Sequence, residues 1–348
     1  MTVDTGRASA RRLRGDGRWA PAWMSAVLAV VVVASFAVGR YWVPPGTVLE
    51  ILGGQVLPIG GGVQRTMETV VTEVRLPRIA GAVLIGAALA AAGASYQSMF
   101  RNPLVSPAIL GVSAGAGFGA ALAILLKLPW AAVQLLAFAF GLLAAGASVL
   151  IGRTLGRGSL VVLVLGGLVV SALFQALIST TQYLANPDDT LPAITFWLMG
   201  GLGRIRLDDL LVPGAIIALC LLALYLLRWP INVLAAGEDE AWTLGVDRRL
   251  VWSVVICAAT LMTTSAVSLA GIIGWVGLIV PHAARFIVGP SFDRLLPAAI
   301  LLGAGFLLVV DDIARSATTM EIPLGILTAL IGAPCFIVLL AKARGQWQ

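Results

Sequence analysis

RWPINVLAAGEDEAWTLGVDRR, residues 228 to 249, is the longest polar interruption in the second half of a chain otherwise built of apolar runs. Inside it, Gly237, Glu238, Asp239, Glu240, Ala241, Trp242, Thr243, Leu244 and Gly245 carry a helix's punctuation. Gly237 precedes acidic residues that suit a positive helix N-terminus, and Gly245 is a C-terminal stop. The segment is too short and too charged to span a bilayer. It therefore lies on one membrane face between two spans, either as a solvated loop or as a handle for a soluble partner.

Working outward, the 348 residues are 59% hydrophobic and only 11% charged, a composition of polytopic membrane proteins. The net charge of +6 does not call for nucleic acid. Fifteen of the 23 Lys and Arg residues fall on one side of the topology below, so membrane orientation accounts for them. Cys220, Cys257 and Cys335 sit in apolar runs without CxxC spacing and read as small buried hydrophobes.

Five arginines in the first 20 residues precede an apolar run from Ala20 to Val43, long enough for a retained first span with a cytoplasmic N-terminus. Residues 44 to 75 read as an outer loop. Further spans run over Leu76–Phe100, Pro107–Leu126, Trp130–Ile151, Leu160–Leu184, Leu210–Leu227, Leu250–Leu269, Gly271–Val288, Leu295–Ala314 and Pro323–Ala341. A short re-entrant or surface helix is expected within Trp197–Arg204. The abrupt joint at Ala270 and Gly271 predicts that one of the two spans flanking it is short or interrupted. Ten spans put both ends inside, with a cytoplasmic tail over 1–19, the membrane domain over 20–342 and a tail over 343–348.

The motifs narrow the function. No GxxxxGK[ST] exists, since the only lysines, Lys127 and Lys342, follow Leu126 and Ala341; any ATP must be bound by another subunit. The single histidine, His282, has no Cys, Asp or Glu at ligand spacing and reads as a structural hydrogen-bonding residue. No catalytic triad or carboxylate pair is visible. Gly111, Gly115 and Gly119, four residues apart, predict close helix packing. Ser171, Gln175, Ser179 and Gln182 fall within about 80° of one helical face. Glutamines facing lipid are costly, so this face meets a neighbouring helix or a water-filled passage. Asp311 and Asp312, with Arg315 and Glu321 nearby, read as a structural ion pair; a proton-relay site is the rival.

Several stretches together resemble the FecCD-type permease subunits of bacterial iron-siderophore, haem and cobalamin ABC importers. They are Arg75-Leu76-Pro77-Arg78; Phe100-Arg101-Asn102-Pro103-Leu104 followed by Leu110-Gly111-Val112-Ser113-Ala114-Gly115; Gly274-Trp275-Val276-Gly277 through Pro281-His282; and Asp312-Ile313-Ala314-Arg315 with Glu321-Ile322-Pro323-Leu324-Gly325 and Gly332-Ala333-Pro334. The resemblance covers about residues 20 to 342. It implies an all-α polytopic protein of about ten transmembrane helices with the type II ABC importer permease fold and both termini cytoplasmic. It also implies a second copy of the chain, two cytoplasmic ABC ATPases that hold the ATP and Mg, a periplasmic substrate-binding protein and a place in the bacterial inner membrane. No cofactor or metal is expected on this non-catalytic chain.

By the same resemblance, Gly237, Glu238, Asp239, Glu240, Ala241, Leu244 and Gly245 belong to the ATPase-coupling helix. Arg75, Arg78 and Arg315 match outer arginines that meet acidic residues of the binding protein. Asn102 and Leu104 match one cytoplasmic gate, and Gly158 and Ser159 fall at the other, with glycine where the cobalamin importer carries a hydroxyl. Ser171, Gln175, Ser179 and Gln182 then line the translocation path. A large iron chelate, first a ferric siderophore, is the expected cargo, with haem and cobalamin as alternatives. A proton-coupled secondary transporter built on Asp311 or Asp312 is the rival class; the lack of an evident inverted repeat counts against it.

Overall fold

A backbone in lipid has no water to bond, so long apolar runs must close their hydrogen bonds internally as helices. The computed structural model describes residues 20–54, 64–156 and 160–343, and among these every regular element is helical. The expected tail over 1–19 lies outside them, as do Gly158, Ser159 and all of the expected tail over 343–348 except its first residue. The helices are α1 (Ala20–Ala37), α2 (Pro45–Gly54), α3 (Arg65–Met99), α4 (Val112–Leu125), α5 (Trp130–Thr154), α6 (Leu160–Leu184) and α7 (Thr190–Met199). They continue as α8 (Leu207–Leu226), α9 (Arg228–Ala236), α10 (Glu238–Thr243), α11 (Arg248–Ala270), α12 (Val276–Val288), α13 (Phe292–Ser316) and α14 (Leu324–Ala343). Seven of them, α1, α3, α5, α6, α8, α11 and α13, are long and apolar enough to cross a membrane, while α4, α7, α12 and α14 are shorter apolar helices.

The centre of the molecule is α3. In its most apolar window 83% of residues are buried, against 22 to 33% for α1, α5, α6 and α8. Its sequence explains why: Gly86 through Ser95 is almost all Gly and Ala, which lets neighbouring backbones come close without a hydrophobic driving force. A Cβ on Gly86 would stand 2.2 Å from the Gly303 carbonyl oxygen of α13, and one on Gly93 would stand 1.8 Å from the Gly277 oxygen of α12. The regularly spaced glycines of α4 act in the same way. Cβ atoms on Gly115 and Gly119 would meet the carbonyl oxygens of Phe140 and Leu136 on α5 at 2.4 and 2.3 Å.

The structure corrects several boundaries. Residues 44–75 are not simply loop: α2 occupies part of them, and α3 begins at Arg65, eleven residues before Leu76. Pro77 offers no N–H to the Glu73 carbonyl and its ring would strike it, yet the helix runs through by widening into a π turn at Val70–Arg75. The short helix expected within Trp197–Arg204 is α7, which starts at Thr190 and is stopped by Gly200 at φ 75°. The third span opens as a 3-10 turn, Pro107–Leu110, before Gly111 at φ 75° starts α4. The expected interruption near Gly271 is present. α11 stops at Ala270, and the chain reaches α12 through non-helical residues ending in Trp275 at φ 68°. Of the cysteines only Cys220 is buried; Cys257 and Cys335 lie on exposed faces of apolar helices, where a thiol is compatible with lipid.

Two main-chain bonds join chain ends that the sequence keeps far apart: Gly201 N–H donates to Ala270 O at 2.8 Å, and Leu324 N–H to Gly200 O at 3.0 Å. They pin the ends of α7 and α11 and the start of α14 together. The exposed Lys127–Asp189 pair, 3.2 Å apart, ties the loop after α4 to the start of α7. Hydrogen bonds from the Thr190 hydroxyl and from Lys127 hold the Asp189 carboxyl below its usual range. Exposed pairs of this kind contribute little stability.

The close approaches at α3 predict an ordering of variants. Gly93→Ala and Gly86→Ala should each destabilise the detergent-solubilised protein by about 1–3 kcal/mol. Gly146→Ala on α5, where a Cβ meets nothing within 4 Å, should be neutral or stabilising by up to about 1 kcal/mol. Thermal unfolding of the three variants checks the order, and an equal effect at all three positions would contradict it.

Candidate functional site

Three places assemble polar side chains in this apolar frame. At one end of the bundle, α1, α3, α13 and the approach to α14 meet in a charged cluster. Asp311, fully buried, accepts from Arg78 Nε with both carboxylate oxygens at 2.9 Å and lies 3.6 Å from Arg315 Nε. Arg78 also reaches Glu321 at 2.8 Å. Arg315 bonds Asp312 and donates to the carbonyls of Val38 and Ser35 at 2.7 and 2.5 Å, while the Ser35 hydroxyl donates to Asp312 at 2.6 Å. Arg75 donates to the carbonyls of Phe36 and Tyr41, which include orphan acceptors at the end of α1. The backbone of Gly39, at φ 147°, passes so near that a Cβ would stand 2.8 Å from Arg75 Nη2.

The three arginines expected to meet the binding protein, Arg75, Arg78 and Arg315, are bound up in this cluster. They are 3, 6 and 7% exposed, and each is bonded within the chain. A guanidinium in apolar surroundings needs an internal partner, and the two aspartates and the carbonyls at the end of α1 provide them. Exposed cations nearby are Arg40, which donates to Thr318 O at 3.0 Å, and Arg204, stacked 5.5 Å over Trp130. Arg204, Arg78 and Glu321 line a small cavity of about 230 Å³. The reading of Asp311 and Asp312 as ion-paired structural residues matches the geometry.

The second place is α6. Val170, Phe174, Ile178 and Thr181 are buried against the bundle, whereas Gln175 and Ser179 are exposed and Gln182 is half-buried. Ser171 departs from this polar face. Its hydroxyl donates to Gly167 O at 2.7 Å and packs beside Gly111, so it meets a neighbouring helix start. The same exposed side carries Leu165, Leu168, Leu173 and Tyr183, making an apolar face with a polar stripe.

The third place is the end where α9 and α10 lie. The stretch Gly237 to Gly245 folds as punctuated: Gly237 is the extended residue before α10, and Gly245 ends it at φ 71°. Ala241 is buried, while Asp239, Glu240 and Leu244 are exposed and Trp242 is 85% exposed. Asn102 and Leu104 are exposed in the loop after α3, where Leu104 N–H donates to Asn102 Oδ1 at 2.9 Å. Gly158 and Ser159 are outside the described residues.

Two anchoring residues escaped the sequence reading. Arg101, at φ 49°, donates to Leu234 O of α9 at 2.6 Å. Asn232 of α9 bonds Asp293 Oδ2 and accepts from Phe292 N–H, both at 2.6 Å, which holds the start of α13. Only the basic side chain before Asn102-Pro103 hinted at the first; nothing in the sequence marks the second. His282 stacks edge-on against Phe286 at 5.1 Å, and its Nδ1 is buried with no hydrogen-bond partner among the described residues, unlike the bonding role expected of it. Among the described residues no group of three His, Cys, Asp or Glu side chains is placed to hold a metal ion.

Comparison with known proteins agrees with this architecture. The model of the FecCD transport family matches residues 27–342. The molybdate import permease MolB of Haemophilus influenzae is 39% identical over 324 residues, covering 92% of this chain and 95% of its own. The cobalamin import permease BtuC of Halobacterium salinarum is 41% identical over 322 residues, covering 90% and 85%. A solved metal-chelate type ABC transporter in an inward-facing conformation superimposes with a TM-score of 0.82 at 37% identity, over 92% of this chain and 98% of that one.

The charged cluster yields a contrast. Asp311→Ala leaves Arg78 and Arg315 buried with a carboxylate missing and should cost about 3–5 kcal/mol. Glu321→Ala removes a half-exposed partner of Arg78 and should cost about 1 kcal/mol or less. Unfolding of both variants in mixed micelles measures the difference; equal costs would mean that the cluster is not the anchor its burial indicates.

Proposed function

The chain belongs to the FecCD transport family and is a multi-pass ABC importer permease, and we propose that two copies face each other across their α6 helices to enclose a path for a metal chelate. A ferric siderophore is our first assignment. Haem and cobalamin are the alternatives to be tested beside it, together with molybdate, which is named for one of the relatives above. The observation that carries this reading is the exposed polar stripe of Gln175 and Ser179 on a helix otherwise suited to lipid. Amide side chains are costly against hydrocarbon and suit a wet passage. The stripe is uncharged, which fits a bulky cargo recognised mainly before it enters.

The assembly we infer has ten spans per copy, formed by α1, α3, α4, α5, α6, α8 and α11 to α14, in a bacterial inner membrane with both ends cytoplasmic. ATP and Mg are held by two partner ATPases that grip α10, whose exposed Trp242 and Leu244 offer an apolar handle. A binding protein delivers cargo to the opposite face. Because Arg75, Arg78 and Arg315 are internally paired, its acidic residues are assigned to exposed cations such as Arg40 and Arg204, as rim charges that steer encounter.

In liposomes containing the chain and its ATPase, ferric siderophore on its binding protein should stimulate ATP hydrolysis and be taken up. Haem, cobalamin or molybdate doing so instead would replace the cargo assignment, and no response to any of them would refute the importer assembly. Trp242→Ala should weaken the ATPase association by about thirtyfold if it is an interface anchor of about 2 kcal/mol. Arg204→Glu should slow binding-protein association most at low salt; an unchanged association rate would remove that residue from the docking face.

A further inference from the structure

At Gly141 the helices α5 and α11 touch, a Cβ there standing 2.6 Å from Thr264 Cγ2. Toward α10 they border a cleft of about 1510 Å³, whose rim on that side includes residues of α10. This exceeds the roughly 300–1,000 Å³ of an ordinary small-molecule pocket. Its walls are chiefly apolar, with Leu142, Val149, Ile256 and Leu261 among the lining side chains, and Leu163 of α6 contributes at one side. Its mouth carries three arginines, Arg153 on α5 and Arg248 and Arg249 on α11.

We infer that this cleft binds one anionic phospholipid from the leaflet on the α10 side, with acyl chains along the α5 and α11 walls and the headgroup at the arginines. The reading does not depend on the cargo. Length supports it: eleven residues separate Leu142 from Arg153, about 16 Å of helix, which is half of a hydrocarbon core of about 30 Å. The cleft thus measures one leaflet from midplane to headgroup. Trp252, edge-on to Phe100 and under Arg248 at 5.0 Å, sits at the mouth, the depth at which tryptophan is enriched in membrane proteins.

Charge selects the headgroup. Two carboxylates also line the mouth, Asp239 and Asp247. The Asp247 side chain accepts from the N–H groups of Arg249 and Leu250, capping α11, so part of its charge is engaged there. Arg153 and Arg249 are exposed and carry no ion pair among the described residues. A phosphate diester over them gains charge-assisted bonds, whereas a zwitterionic headgroup adds a cation that the arginines repel.

The test uses the purified full-length chain in detergent, titrated with cardiolipin, with phosphatidylcholine and with glycerophosphate, and read by native mass spectrometry. Cardiolipin should be retained preferentially. Arg153→Ala/Arg249→Ala should weaken its retention by about 30-fold, since each basic side chain near an anionic lipid is worth about 1 kcal/mol. Gly146→Phe, whose Cβ points into open space beside the cleft, should displace cardiolipin while leaving the thermal midpoint near that of the parent. Equal retention of cardiolipin and phosphatidylcholine, competition by glycerophosphate as strong as by the lipid, or native retention in both variants would overturn the inference.

Discussion

The contact between α3 and α13 holds the molecule together, and it is made in two ways along one crossing. Midway, Gly86 and Gly303 bring the two backbones so close that neither position has room for a methyl group. At the end of α13, Asp311 sits fully buried between Arg78 and Arg315. Packing alone gives little preference for one rotation of smooth apolar helices over another. A buried ion group supplies that preference, because any other rotation leaves a charge in an apolar setting without its partner. The same cluster ends α1 by placing Arg75 and Arg315 on its last carbonyls.

Much of the frame was legible in the sequence because lipid simplifies the code. Apolar length and helix stops placed the start of α1 and both ends of α5, α6, α8, α11 and α13 within about three residues, while the first span was read past Ala37 to Val43, and the fourfold glycine spacing of α4 marked a packing face. Local chemistry misled where tertiary contacts override it. The polar residues Arg65, Glu68 and Glu73 read as loop, yet they sit exposed on the first turns of α3. The arginines read as rim charges are interior, since a sequence shows that Arg78 is cationic but not that Asp311 lies beside it. Ser171 shared an angle with Gln175 and Ser179, but helical angle does not tell which part of a face another element covers.

At the opposite end, α9 is fastened on two sides. Its Leu234 carbonyl holds Arg101, next to the Asn102 and Leu104 turn, and its Asn232 holds the first residues of α13. The helix next to α10 is therefore bonded both to the loop after α3 and to the base of α13. These are the two helices joined at the glycine crossing and the ion cluster.

The separation of Arg78 from Asp311 also has a meaning in time. The two residues are 233 positions apart. At synthesis rates of roughly 5–20 residues per second, Arg78 waits on the order of 10–50 s before its carboxylate exists. During that interval Arg78 lacks the buried carboxylate that compensates it in the folded chain, and a lone guanidinium is costly in hydrocarbon. The helix around which the others are packed is made early, and its partner late. A chain broken off before α13 would lack that partner altogether.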